Sequence, residues 1–196
     1  DRFLVTCEAY KVPAAILLSK IDLQDAEAVA EFRAVYEGAG YRVLEVSAKE
    51  GRGVEEVREL LAGRTTLVSG NSGVGKSTLI QTIDPSLDIR TGEISDSHHK
   101  GRHTTTFSTM YSLAEGGAVI DTPGIKGFGL LDIDDAELWH YFPEMMRVAP
   151  GCRFYNCTHT HEPGCAVVEA VKAGEIAWSR YESYLKILDD DEKYRK

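Results

Sequence analysis

Apolar positions along the chain change their spacing several times, and each spacing predicts an element. Residues 2–10 predict a short helix. Val12 to Ser19 (VPAAILLS) is a continuous apolar run fit for a strand buried on both faces. Residues 25–37 place Val29, Phe32 and Tyr36 on one helical face, with Gly38 and Gly40 expected to stop the helix. Tyr41 to Val46 alternates as a second strand, and Val54, Val57, Leu60 and Leu61 mark a helix closed by Gly63. Thr65 to Ser69 reads as a third strand, entering a glycine-rich turn and a helix from Lys76 to about Ile83.

The stretch from Asp84 to about Thr104 is polar with little periodicity, and loops of that length are usually functional or mobile. Thr105 to Leu113 and Ala118 to Asp121 predict two more strands, joined at Glu115-Gly116-Gly117. After Gly129 the pattern predicts a helix over 134–142, a Cys/His loop over 152–165 and helices spanning about 166–188. Strands alternating with helices imply an α/β fold with a mostly parallel sheet. The expected division is a nucleotide-handling domain over 1–130 and a helical, metal-binding module over 131–196.

With 196 residues the chain can bury one ordinary domain and a small appendage. No apolar run reaches 18 residues, so no membrane span is expected. The opening Asp1-Arg2-Phe3-Leu4 resembles no signal peptide, which makes a cytoplasmic location the simplest expectation. A net charge of −9 argues against a chain-wide electrostatic grip on nucleic acid, leaving room for a local patch or a domain outside this sequence. Four cysteines in such a chain suggest metal or free thiols before disulfides.

Gly70-Asn71-Ser72-Gly73-Val74-Gly75-Lys76-Ser77 fits G-x-x-x-x-G-K-[ST] in full, between a strand (TTLVS) and a helix (STLIQTI). Its backbone N–H groups and the helix N-terminus would hold phosphates, as expected of residues 70–78 with Thr78 included. Lys76 should reach the β- and γ-phosphates, and the Ser77 hydroxyl should ligate Mg²⁺. A chance glycine-rich turn would lack this strand–helix context. Asp121-Thr122-Pro123-Gly124 follows the strand Ala118-Val119-Ile120. Asp121 would hold Mg²⁺ through a water, and the Gly124 amide would face the γ-phosphate.

Ser19-Lys20-Ile21-Asp22 resembles the N-K-x-D motif of Ras-like GTPases with Ser in the first place. There the Asp accepts from guanine's ring N–H and amine, and the Lys stem packs on the purine. Adenine offers the opposite pattern, so Asp22 would discriminate. Ser19 can still hydrogen-bond the phosphate loop, although with a shorter reach than Asn. Ser47-Ala48-Lys49 resembles the S-A-K loop, whose backbone contacts the guanine oxygen. In Ras-like proteins the base-reading motifs follow the phosphate motifs; here they precede them. Circular permutation leaves such a site intact because domain ends commonly lie close together.

A Ras-like sheet has six strands, and five are assigned here. The absent one would flank the phosphate-loop strand, so the expectation is a split sheet and a native chain that extends upstream of Asp1. The alternative is a misassigned strand.

Cys152-x4-Cys157-x-His159-x5-Cys165 offers three thiolates and an imidazole suited to tetrahedral Zn²⁺, with His161 as a competing ligand. Four protein ligands leave no open position, which points to a structural metal. Buried free cysteines beside a surface histidine are the plainer alternative. Cys7, far from the cluster on an apolar face, reads as core.

Together S-K-I-D, S-A-K, GNSGVGKS, G-R-H-T-T-T, D-T-P-G and the Cys₃His spacing resemble the ribosome small subunit-dependent GTPase A (RsgA/YjeQ) family. The resemblance implies a GTPase that binds the assembling 30S subunit and its 16S rRNA late in maturation and leaves after hydrolysis. It implies GTP/GDP, Mg²⁺ and Zn²⁺ as ligands, a monomer, and an OB-fold domain that this sequence does not contain. Cys152, Cys157, His159 and Cys165 match the family's zinc ligands. Thr104 or Thr105, with Thr105 preferred, resembles the threonine that completes the Mg²⁺ shell.

Where Ras-like enzymes place a catalytic Gln, this chain has Ile125, which cannot orient water. His103 is the candidate replacement, against the alternative of a solvated loop histidine. A slow intrinsic rate, raised when the ribosome orders residues 95–106, is the corresponding expectation. Lys100, Arg102 and His103 form a basic cluster that could touch rRNA phosphate, though short basic loops are more often only solvated. The competing readings are a GTP-sensing scaffold, a permuted GTPase of the large subunit, and a P-loop ATPase or kinase.

Overall fold

The computed structural model describes residues 1–87, 89, 108–122 and 133–194. In order the elements are α1 (Arg2–Ala9), β1 (Ala15–Ser19), a 3₁₀ turn (Ile21–Leu23), α2 (Ala26–Ala39), β2 (Arg42–Val46) and α3 (Val54–Leu61). There follow β3 (Thr65–Val68), α4 (Lys76–Ile83), β4 (Thr109–Ser112) and β5 (Ala118–Asp121). A 3₁₀ turn (Leu138–Tyr141), α5 (Pro143–Val148), a 3₁₀ turn (Ala149–Gly151), α6 (Ala166–Ala173) and α7 (Trp178–Tyr194) complete the chain.

The five predicted strands are present, and among the described residues they form two sheets. One pairs β1 with β2; the other has the order β3-β5-β4. In the second, β3 runs parallel to β5 while β4 runs antiparallel to it, so this sheet is mixed and not mostly parallel. β1 is also less buried than expected: Ala15 is exposed and the other four residues are half-buried. A strand with one neighbour has one open edge, and its side chains keep part of their contact with water.

The helix expected over 25–37, stopped by Gly38 and Gly40, runs on to Ala39. The Tyr41 N–H reaches Tyr36 O at 3.0 Å and the Gly40 N–H reaches Glu37 O at 2.9 Å. With Gly40 at φ +105°, these two bonds form a Schellman cap, so Gly40 supplies the stop and Gly38 sits inside the last turn. The helix expected over 134–142 is a larger miss. Phe142 is extended (φ −115°, ψ 96°) and Pro143 opens a separate helix, α5. A proline disfavours helical geometry in the residue before it and suits the first turn of a new helix.

The chain forms two compact units, neither continuous in sequence. The first comprises Asp1–Ile16, Ala30–Val43 and Phe128–Lys196; the second comprises Leu17–Val29 and Leu44–Gly127. The first has a core around Val5, Leu138, Phe142, Met145, Val167 and Tyr184, which also includes the buried Cys157 and Cys165. Buried within it, Arg180 bonds Glu144 through Nε at 2.7 Å and Asp1 through Nη1 at 2.5 Å. The Tyr36, Tyr41 and Phe142 rings stand 5.5, 5.6 and 4.9 Å from its guanidinium carbon. The second unit packs Val46, Val57, Leu61, Leu79, Ile80 and Val119. No helix among the described residues is long and apolar enough to cross a membrane.

Candidate functional site

All described residues expected to meet the nucleotide lie in the second unit. β3 delivers the chain into the loop Gly70–Gly75, and α4 opens at Lys76. Gly75 caps α4 with φ +102°, a conformation that costs a residue with a Cβ. A Cβ there would also stand 3.2 Å from Ser19 Oγ and 3.6 Å from Lys20 Cε. The Lys76 ammonium donates to Gly70 O at 2.7 Å and to Asn71 O at 3.1 Å, which holds a positive charge over the loop. Ser72, Ser77 and Thr78 follow in the same loop and the first turn of α4.

The parallel register Val68↔Asp121 sets Asp121 beside the start of this loop. Burial pushes the Asp121 carboxyl up, while the Lys76 charge and a hydrogen bond from Ser77 pull it down. Its Oδ1 is buried and has no hydrogen-bond partner among the described residues. A carboxylate oxygen orphaned next to a serine hydroxyl and a phosphate loop fits a divalent cation, so Ser77 and Asp121 suit Mg²⁺.

The residues expected to read the base are joined directly to the loop expected to hold phosphate. Ser19 Oγ donates to Val74 O at 2.8 Å and Lys20 Nζ to Gly73 O at 2.7 Å. Lys20 adopts a left-handed backbone (φ 59°), which turns the chain so that Asp22 follows on a 3₁₀ turn. The Ser47 hydroxyl, itself fully buried, donates to Asp22 Oδ1 at 2.6 Å. That bond first, with the charges of Lys49 and Lys20, keeps the Asp22 carboxyl below the usual range and therefore an acceptor at neutral pH. Ala48 and Lys49 continue the turn behind it. His103, Thr104, Thr105, Gly124 and Ile125, together with Lys100 and Arg102, lie outside the described residues.

In the first unit Cys152, Cys157, His159 and Cys165 converge, with all four ligand atoms within 4.8 Å of one another. Cys152 Sγ and Cys165 Sγ are 4.0 Å apart, and His159 Nδ1 lies 3.6 and 3.4 Å from them. A tetrahedral zinc with Zn–S near 2.3 Å and Zn–N near 2.05 Å requires about 3.8 and 3.6 Å for these separations. The donor set and its spacing fit the ion. His161 stays outside the cluster, exposed, with Nδ1 2.8 Å from Thr160 Oγ1. Cys7 lies on α1 and takes no part.

Several residues that hold this loop had no signal in the spacing of ligands. Tyr181 and Tyr184 of α7 donate to His159 O at 2.7 Å and Thr158 O at 2.6 Å. Glu162 accepts from Thr158 N, Thr158 Oγ1, Thr160 N and His161 N at 2.6–3.2 Å. Burial works against its charge, but these bonds hold its carboxyl well below the usual range. Burial pushes the Cys157 thiol up to about 12, raises the Cys165 thiol, and lowers the His159 imidazole.

The family model described as RsgA GTPase matches residues 1–131. The chain is 54% identical over 203 residues to the small ribosomal subunit biogenesis GTPase RsgA of Porphyromonas gingivalis, covering 100% of this chain and 64% of that protein. Against the protein of the same description from Christiangramia forsetii, identity is 48% over 195 residues, covering 98% and 62%. Among solved structures, YjeQ from Thermotoga maritima superposes with a TM-score of 0.79 at 38% identity, covering 96% of this chain and 63% of that one. YloQ, described as a circularly permuted GTPase, gives 0.77 at 28% identity, covering 100% and 62%. The chain therefore spans a little under two thirds of each of these relatives.

Proposed function

Because the chain belongs to the RsgA GTPase family, we propose that it binds GTP with Mg²⁺, hydrolyses it to GDP, and serves late maturation of the 30S ribosomal subunit. The observation that carries the nucleotide reading is the pair of hydrogen bonds from Ser19 and Lys20 to the Val74 and Gly73 carbonyls. They make the base-reading residues and the phosphate loop one construction, despite their reversed order in the chain.

In this reading Asp22 accepts from the guanine edge, Ser47 holds that carboxylate in place, and Ala48 and Lys49 close over the base. The backbone of residues 70–78 cradles the phosphates. Lys76 exchanges its two loop carbonyls for phosphate oxygens, and the Gly124 amide meets the γ-phosphate. Magnesium, when bound, neutralises charge that develops on the β- and γ-oxygens; Ser77, Asp121 and Thr105 are the residues that would hold it. Ile125 cannot orient the attacking water, so His103 takes that role when the ribosome engages residues 95–106. The four zinc ligands stabilise a helical module with no open metal position. The end of the family match at residue 131 supports a functional division near residue 130.

The partners in this reading are the 30S subunit and 16S rRNA, met by a monomer in the cytoplasm. The description shared by the curated relatives supports the small subunit as the partner. GTP turnover measured with and without purified 30S subunits, with ATP as control, tests the whole. Stimulation with GTP alone is the expected result. Tight GTP binding without stimulated turnover would replace the enzyme by a GTP-sensing scaffold.

A further inference from the structure

The four residues between the first two metal ligands are all exposed: Arg153, Phe154, Tyr155 and Asn156. Tyr155 is 101% exposed, with no part of its ring covered by the protein. A phenol ring left wholly in water contributes nothing to the core, although both neighbouring cysteines reach inward. Phe154 is 39% exposed, and the Arg153 guanidinium carbon stands 5.5 Å from the centre of its ring.

The segment is held at both ends. Cys152 and Cys157 belong to the same ligand cluster, so a metal there would close Arg153–Asn156 into a ring. The Arg153 N–H also donates to Gly164 O at 3.0 Å, and the arginine stem lies against Gly164, where a Cβ would come within 3.2 Å of the Arg153 Cβ. Glycine at 164 therefore lets the stem lie flat. A backbone fixed in this way leaves mainly side-chain rotamer entropy to lose on binding.

Charge along the sequence points to the partner. The chain has 31 acidic residues, yet three long stretches have none: 60–83, 97–114 and 145–161. The first contains the phosphate loop, and the second contains Thr105, proposed above to serve the magnesium ion on the phosphates. The third contains this loop. Glu162, which ends the third stretch, is engaged by its four donors and turned toward its own loop. An aromatic and arginine loop whose own stretch of sequence carries no carboxylate, on a chain of net charge −9, suits a partner that combines flat π-surfaces with phosphate.

We propose that Arg153, Phe154 and Tyr155 form a stacking platform for an unpaired RNA base, with Tyr155 taking the base and Arg153 the adjoining phosphate. RNA as the partner rests on the ribosomal reading above; the platform itself rests on the exposure and the clamped geometry. Aromatic faces stack on every base, so the platform is tolerant of sequence and selects single-stranded or looped RNA over duplex.

The test uses the zinc-loaded 196-residue chain and a fluorescein-labelled oligouridylate octamer, followed by anisotropy across a salt series. Tyr155→Ala is expected to weaken binding roughly 5- to 100-fold, and Tyr155→Phe to stay within about twofold, because the ring face and not the hydroxyl stacks. Arg153→Ala should make the slope of log affinity against log salt shallower by about 0.7, the contribution of one phosphate contact on a single strand. Absence of octamer binding by the parent chain, an unchanged affinity in Tyr155→Ala, or an equal loss in Tyr155→Phe would each overturn the platform. Tyr155→Ala that loses affinity for purified small subunits while keeping the octamer would also overturn it, assigning the face to a ribosomal protein. GTP affinity, measured on the same samples, is expected to be unchanged in all three variants. Its absence in the parent chain would overturn the nucleotide reading and leave the platform standing.

Discussion

The Ser19 hydroxyl donates to the backbone carbonyl of Val74 at 2.8 Å, across 55 residues of sequence. The bond connects the end of β1 to the middle of the phosphate loop, and Gly75 leaves the space in which it forms. Serine is short for this task, and the bare Gly75 allows the two segments to approach closely enough for its reach.

Ser19→Ala should therefore weaken GDP binding about fivefold, the effect of one hydrogen bond worth about 1 kcal/mol. Gly75→Ala should do more, because it adds backbone strain at φ +102° to a contact 3.2 Å from Ser19 Oγ. Calorimetric titration with GDP checks both. Equal affinities for the two variants would break the proposed link between loop geometry and the Ser19 bond.

Asp22→Asn should exchange guanine for xanthine. The carboxylate accepts from the ring N–H and amine of guanine; an amide at the same place can donate to the oxygen that xanthine carries where guanine carries the amine. The Ser47 hydroxyl still has an acceptor in the Asn carbonyl, so the turn should persist. Competition between GTP and xanthosine triphosphate measures the exchange, and undiminished GTP binding would remove Asp22 from the base site.

Much of the candidate nucleotide site's local geometry was legible because its motifs tie residue type to local structure. The phosphate loop requires a strand, glycines and a helix in that order, and all three stand next to one another in the chain. The break at Phe142 was also within reach, since Pro143 alone disfavours a helix through it. The Arg180 network was not legible. It joins residues 36 and 179 positions apart, and neither Asp1 nor Glu144 differs in local pattern from a surface acid. The half-burial of β1 was hidden for a similar reason, because an apolar run records a strand but not how many neighbours it has.

Arg180→Met should destabilise the first unit by about 3–5 kcal/mol, since it strands the buried Glu144 carboxylate. Adding Glu144→Leu should recover part of that loss, because the pair is then replaced by apolar groups in a site already lined by Phe142. Urea denaturation of the single and double variants measures the coupling. Strictly additive losses would show that the arginine acts through its aromatic neighbours and not through the ion pair.

Glu162→Ala should loosen the metal loop, because four donors lose their acceptor together. The charged hydrogen bonds put the effect at about 1–3 kcal/mol. The sign of the pH dependence follows from the depressed carboxyl. Its contribution is fully present above the ordinary glutamate value of about 4.3 and disappears only as pH falls through the lower folded value. Between pH 5 and 8 the stability difference between Glu162→Ala and the parent chain should therefore be flat, as thermal melts across that range would record.

Zinc affinity, by contrast, should rise steeply with pH over the same range. Burial holds the Cys157 thiol at about 12 and raises the Cys165 thiol, so both carry protons at neutral pH when the metal is absent. Each must become a thiolate to ligate, so binding expels at least two protons. His159 adds none, because burial lowers its imidazole and leaves it neutral at pH 7. At least two expelled protons imply binding at least about a hundredfold tighter for each pH unit gained. Zinc titration in a weak buffer with a proton indicator counts them directly. A count near zero would mean that the thiolates exist before the metal arrives. Burial would then have been offset within the apo site, with the Val168 N–H on Cys165 as the nearest source of that compensation.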